Sequence, residues 1–274
     1  MLPQARLENR AVPQFNINGY QWIEAIINVV KGTGDPVIIA VTDRNVERLG
    51  GYSYIVKLIK FMLEEKNVSS PVAIHLDHGQ TTDNVMKAID AGFSSVMYDG
   101  SHEPLEVNIA NTKLVTDYAK QYNVTVEGEI GGIGGVEDGM VGGVRYADPD
   151  ECQRLVAETG LDALAPALGS VHGVYVGDPN LQFETMEVIN NRLDIPLVLH
   201  GASGLSVEDI HQAISLGHAK INFNTELNQA WTRELRKILA DQPNTYDPKD
   251  ILTASKFGLE QEIKIKLDIC NKRV

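Results

Sequence analysis

The chain has 274 residues, 43% of them hydrophobic and 22% charged, which excludes disordered, collagenous and coiled-coil classes and leaves material for one large domain. Its 24 Lys+Arg against 37 Asp+Glu give a net charge of −13, which opposes nucleic-acid and anionic-membrane binding in a sequence with no basic patch. No apolar run approaches the roughly 20 residues that span a bilayer, and the first ten residues carry no secretory leader, so a cytoplasmic protein with Cys152 and Cys270 reduced is expected.

Apolar and β-branched runs at residues 12–17, 37–41, 72–76, 94–98, 124–129, 163–168, 197–199 and 220–223 predict eight strands. Between them apolar residues recur at helical spacing: Trp22, Ile23, Ile26, Ile27 and Val30, then Ile55, Leu58, Ile59 and Met62, then Val85, Met86 and Ile89. Asp148-Pro149 opens and Gly160 closes the helix over 151–159, and Ser206 with Asp209 opens the next but one. A final helix over 253–269 runs beyond the eighth unit. Strands this apolar need cover on both faces, which predicts one domain over 1–274, a (β/α)8 TIM barrel with an extra C-terminal helix. An open doubly wound sheet shares the alternation. Its dinucleotide form wants G-x-G-x-x-G after the first strand, where this chain has Asn16-Ile17-Asn18-Gly19.

In such a barrel the chemistry sits at the C-terminal strand ends. Those ends carry Asn16, Thr42, Asp77-His78, Asp99, Glu129, Ser170-Val171-His172, His200, and Asn222 with Asn224. Three imidazoles, His78, His172 and His200, are a catalytic zinc set if the barrel brings them together, and hydrogen-bonded core residues if it does not. His75, His102, His211 and His218 are read as ordinary structural histidines. Asp77 fits either a general acid/base or a carboxylate orienting a histidine. Asp99 and Glu129 fit ligands of a second cation, or caps of the following helices. The segment over 128–139 holds six glycines in twelve residues and is expected to be a long mobile loop or a disordered connection, with Glu137 able to enter the site on closure. After strands seven and eight, Gly201-Ala202-Ser203-Gly204 and Asn222-Phe223-Asn224-Thr225 precede helices and suit a phosphate. No lysine lies within strand six for a Schiff base, and Lys220, starting strand eight, is expected at the opposite end from the site.

These residues resemble the class II, metal-dependent fructose-bisphosphate aldolases and their relatives. QFNING at 14–19, AIHLDHG at 73–79, SSVMYDGSH at 94–102, VEGEIGGIGGVEDG at 126–139, ALAPALGSVHG at 163–173, PLVLHGASG at 196–204 and KINFNTE at 220–226 carry the resemblance over nearly the whole chain. It implies that His78, His172 and His200 bind catalytic Zn²⁺, with Asp99 and Glu129 at a second cation, divalent or monovalent. Asp77 would exchange the C4 hydroxyl proton and Glu137 the C3 proton. Gly173, Gly201, Ala202, Ser203, Asn222, Phe223, Asn224 and Thr225 would hold the dihydroxyacetone phosphate half, with Asn16 and Thr42 near the other half. Lys256 matches an arginine thought to reach a neighbouring subunit's distal phosphate, which implies a homodimer or homotetramer. The expected reaction is glycolytic retro-aldol cleavage of a phosphorylated ketose, fructose 1,6-bisphosphate first. HGASG, GGVRYAD at 142–148 and LGHAKIN at 216–222 look more like the tagatose-bisphosphate and inositol-pathway (6-phospho-5-dehydro-2-deoxygluconate) aldolases. A non-catalytic sugar-phosphate-binding barrel is the alternative of another class. Family members also usually carry a few more residues before the first strand.

Overall fold

In the computed structural model, which describes residues 1–137, 140–173 and 179–274, eight parallel strands close into a barrel. They are β1 (Val12–Asn16), β2 (Val37–Thr42), β3 (Val72–Gly79), β4 (Ser95–Tyr98), β5 (Thr125–Ile130), β6 (Ala163–Pro166), β7 (Leu197–Leu199) and β8 (His218–Phe223), each paired with its sequence neighbours and β8 with β1. A helix follows each strand, and Pro248–Cys270 is the extra C-terminal helix. The expected barrel is therefore observed. Among the described residues no helix is long and apolar enough to cross a membrane.

Two different cores follow from the alternation of side chains along a strand. Outward residues such as Phe15, Ile39, Leu76, Val126, Leu164 and Ile221 join the large apolar layer between strands and helices. Inward residues are smaller or polar. Near the N-terminal end Val12, Ile38, Ala40 and Ala73 pack with Ala5 of the N-terminal helix Leu2–Leu7, which closes that end and is tied down by Arg6 Nη1 donating to the Ile195 carbonyl at 2.8 Å. Above them the inward positions are Gln14 and Asn16, His75 and Asp77, Glu127 and Glu129, Lys220 and Asn222, all buried.

Three expectations change. β3 runs on to Gly79, and its pairing with β4 shifts register between Leu76 and Gly79 because His78 adopts a left-handed φ of 50°. Adjacent residues of a regular strand face opposite sides; the left-handed residue lets Asp77 and His78 both face inward, at a cost of about 1–2 kcal/mol. The described part of the glycine-rich segment after β5 contains a strand where a long loop or a disordered connection was expected. Gly134–Glu137 is a short strand, antiparallel to Met140–Gly142 and parallel to Val171–His172. Its glycines serve close approach: a Cβ on Gly135 would lie 2.1 Å from the His172 carbonyl oxygen. Lys220 is the third residue of β8, which starts at His218 and not at Lys220 as expected, and its side chain lies inside the barrel, 1% exposed, instead of remaining away from the site.

His218, at the start of β8, is fully buried, its Nδ1 3.0 Å from the Ala213 carbonyl. Burial pushes its pKa from 6.5 down to about 4, against that hydrogen bond. The folded pKa lies below the unfolded one, so stability is full above pH 6.5 and falls as the pH drops towards 4, by about 3 kcal/mol for this group. Urea unfolding of metal-free protein should show that loss, and His218→Gln should flatten it by a similar amount.

Candidate metal and active site

At the C-terminal end of the barrel β3 and β7 and the loop after β6 bring the three expected histidines together. The His78 and His200 rings lie 4.8 Å apart between centroids, His78 and His172 5.2 Å, and His172 and His200 5.9 Å. One ligand atom from each falls within 4.8 Å of the others. The strand pairing of Gly135 with His172 places the third imidazole, which no barrel strand supplies.

Hydrogen bonds decide which nitrogens face the centre. His78 Nδ1 lies 2.9 Å from Asp99 Oδ2, and His200 Nε2 lies 2.9 Å from Glu127 Oε1. The remaining nitrogens, His78 Nε2 and His200 Nδ1, converge to 3.1 Å. Two carboxylates thus each take one ring N–H and leave a lone pair aimed at the shared centre, the arrangement that holds histidine metal ligands. Burial keeps His200 neutral, lowering its pKa against the pull of Glu127. For Asp99 burial works upwards, but the His78 hydrogen bond and charge and the Ser101 donors hold its pKa well below the usual carboxylate range. His78, Asp99 and Glu129 form a second group of converging ligand atoms that shares His78, with Glu129 Oε2 3.8 Å from His78 Nδ1 and 3.6 Å from His200 Nδ1. The donors fit a borderline divalent ion such as Zn²⁺ at the histidines, and a cation with oxygen ligands beside it.

Asp77 is fully buried next to this cluster, its carboxylate held by two amide donors. Asn16 Nδ2 donates to its Oδ2 at 2.7 Å and Asn222 Nδ2 to its Oδ1 at 3.3 Å. Asn16 and Asn222, expected to line the substrate pocket, therefore fix the carboxylate. Thr42 sits at the end of β2, where its Oγ1 accepts from Asn45 Nδ2 at 3.0 Å. Gly201, with φ of 62°, and Gly173, with φ of 88°, turn the chain beside the histidines, while Ala202 and Ser203 are buried. Gly204 N–H donates to Glu226 Oε1 at 3.2 Å, linking this turn to the helix Thr225–Asp241 that follows Phe223 and Asn224. The Glu137 side chain, and Asp138 and Gly139, lie outside the described residues.

Lys256 is not brought to this cluster within the chain. It pairs with Glu24 at 2.9 Å, between the last helix and Tyr20–Val30. Sequence reasoning missed Glu127, Lys220 and His75, and also the rim residues Asn18, Arg44, Asn45 and Arg48 that line one open depression. The signal for the first three was their inward parity with Glu129, Asn222 and Asp77, two residues further along each strand. Removing a carboxylate that orients a ligand histidine typically costs 10–100-fold in metal affinity. Asp99→Ala should show a loss of about that size in competition with a chelator, with the fold intact by circular dichroism.

Comparison with known proteins agrees over the whole chain. A family model described as class II fructose-bisphosphate aldolase matches residues 1–273. The 6-phospho-5-dehydro-2-deoxy-D-gluconate aldolase of Bacillus subtilis is 51% identical over 267 residues, 97% of this chain and 92% of that one. The fructose-bisphosphate aldolase of Geobacillus stearothermophilus is 49% identical over 264 residues, 96% of this chain and 92% of that one. Among solved structures the YdjI aldolase from Escherichia coli K12 superposes with a TM-score of 0.86 at 30% identity, over 98% of this chain and 94% of that one. With barrel, histidine cluster and near-complete match in agreement, the chain belongs to the class II fructose-bisphosphate aldolase family and is a lyase.

Proposed function

We propose that this aldolase is Zn²⁺-dependent and cleaves a phosphorylated keto acid of the 6-phospho-5-dehydro-2-deoxy-D-gluconate type. The observation that carries the substrate choice is the cation arrangement at the mouth. Lys256, the expected partner of a distal phosphate, is already paired with Glu24, whereas Arg44 and Arg48 line the rim with Asn18 and Asn45. Arg48 donates through Nε to Asn45 Oδ1 at 3.1 Å and through Nη2 to Asn18 Oδ1 at 3.2 Å, so its guanidinium is pre-set beside Thr42. A planar guanidinium suits a carboxylate in two-pronged fashion. Relatives named as aldolases of this keto acid, 48% to 52% identical, support the same choice. A ketose bisphosphate is the second reading, favoured by relatives named fructose-bisphosphate aldolase, at 45% to 49% identity.

In the proposed reaction the phosphate of the substrate rests on backbone N–H groups of the 201–203 and 222–225 turns, and Ser203 and Asn224 orient it. His78, His172 and His200 would hold the metal ion, which when bound would supply Lewis-acid stabilisation of the charge that develops on the ketone oxygen. Asp77, held by Asn16 and Asn222, accepts the proton of the C3 hydroxyl as the C3–C4 bond breaks. The C1–C3 fragment leaves as an aldehyde bearing the carboxylate, and the electron pair stays on C4. Glu137 returns a proton to C4, giving dihydroxyacetone phosphate. In a ketose bisphosphate the same proton transfers fall on the C4 hydroxyl and C3.

Cleavage of the keto acid, fructose 1,6-bisphosphate and tagatose 1,6-bisphosphate by zinc-loaded protein tests the assignment directly. The keto acid should have the highest kcat/KM, and faster turnover of either bisphosphate overturns the choice. Arg44→Ala and Arg48→Ala should each lower kcat/KM for the keto acid, by roughly 10-fold or more if the charged hydrogen bond contributes about 1.5–3 kcal/mol, while leaving solvent exchange of the dihydroxyacetone phosphate proton unchanged. Asp77→Asn should retain the metal and lose roughly 10²-fold or more of cleavage. Glu137→Gln should slow proton exchange of dihydroxyacetone phosphate at least as much as it slows cleavage.

A further inference from the structure

Beneath the histidines the barrel contains an ion pair that the proposed reaction does not use. The Lys220 ammonium donates to Glu127 Oε2 and lies 3.3 Å from His75 Nε2, while Glu127 Oε1 lies 2.9 Å from His200 Nε2. His75 is held in turn by Ser95, with Nδ1 2.8 Å from Oγ. Lys220, Glu127, His75 and His200 are all at most 2% exposed. A buried ion pair is a weak source of stability, since the desolvation of its charges about cancels their attraction. Stability alone therefore gives little reason for a lysine and a glutamate inside this barrel.

The division of the Glu127 carboxylate supplies another reason. One oxygen is occupied by Lys220 and the other by His200, so the ammonium fixes the rotamer that presents Oε1 to the imidazole. With Nε2–H so engaged, His200 directs Nδ1 to the centre it shares with His78 Nε2, 3.1 Å away. Glu127 thus links the two, with Oε2 on Lys220 and Oε1 on His200.

We infer that Lys220, acting through Glu127 with His75 beside it, is a positioning residue that orients the metal ligand His200 from the floor of the barrel. The inference rests on the three-histidine metal reading proposed above. It predicts that a residue on the far side of Glu127 from the metal controls metal affinity. The geometry also offers an independent route to the same test: a cavity of about 440 Å³ at the N-terminal end of the barrel is lined by Lys220, Glu127, Ser94, Ser95 and Thr125. A small alkylammonium ion could occupy the space a truncated lysine leaves there.

Zn²⁺ affinity is measured on the full chain by competition with a chelator, and coordination by the visible absorption of the Co²⁺-substituted protein. Lys220→Met should bind Zn²⁺ about 10–100-fold more weakly and alter the Co²⁺ spectrum. Glu127→Gln should do the same, and the double variant should lose no more than the worse single one, because both act through His200. A folded Lys220→Met chain with wild-type affinity and spectrum, or single losses that add in the double variant, overturns the inference. Should Lys220→Met not fold, Lys220→Ala is titrated with propylammonium: affinity that rises with the amine supports the inference, and affinity indifferent to it overturns it. Wild-type protein that takes up no Zn²⁺ would instead overturn the metal reading, and the inference with it.

Discussion

An ionised carboxylate inside a protein needs a cation or several donors around it, or its desolvation costs several kcal/mol. Glu127 meets that requirement on both oxygens, and the rest of the site is arranged around how it does so. Burial acts to raise its pKa, but the Lys220 charge, then the His200 hydrogen bond, hold it well below the usual carboxylate range. A permanently charged acceptor below His200 and a second, Asp99, beside His78 select the ring nitrogens left for a metal. The small inward side chains Ala40, Ala73 and Ala165 leave the lysine room to climb the barrel axis.

Above this charged layer, order comes from backbone conformations that side chains alone would not select. The left-handed His78 turns two consecutive residues of β3 into the pocket, one towards the histidine cluster and one towards Asn16 and Asn222. Glycines 134 and 135 let the segment after β5 lie against Val171–His172. A ligand histidine on a loop is thereby held by strand pairing. The same pairing continues to Glu137 in the backbone, so the proposed proton carrier and the third imidazole share one short sheet.

The charge balance has a local exception that matters for substrate recognition. A chain with a net charge of −13 repels anions over most of its surface. At the mouth Arg44 and Arg48 place two guanidinium groups, and Arg48 is anchored by two asparagines that also touch the ends of β2 and β8: Asn45 through Thr42, and Asn18 through Asn224 at 3.4 Å and Asn228 at 3.0 Å. The rim that would read the far end of the substrate is thus connected by hydrogen bonds to the strand ends that hold its reacting part.

Much of this was legible in the residues alone. Eight apolar runs separated by helical spacing pointed to parallel strands covered by helices on both faces, and Asn16-Ile17-Asn18-Gly19 in place of G-x-G-x-x-G favoured the closed barrel over an open doubly wound sheet. His78, His172, His200, Asp77, Asp99 and Glu129 could be found at strand ends because the barrel puts all those ends on one side. What the sequence by itself could not decide was anything that depends on the reach of a side chain across the barrel or on a departure from regular strand geometry. Lys220 lies at the wrong end of β8 by position and on the right face by parity, and only the closed barrel, with alanines opposite, lets its long side chain meet Glu127. A run of glycines reads as flexibility until the partner strand is present to show that no Cβ would fit. Lys256 and Arg48 are both solvent-accessible cations in the chain, and only the packing of the last helix against Tyr20–Val30 gives one to Glu24 and leaves the other at the mouth.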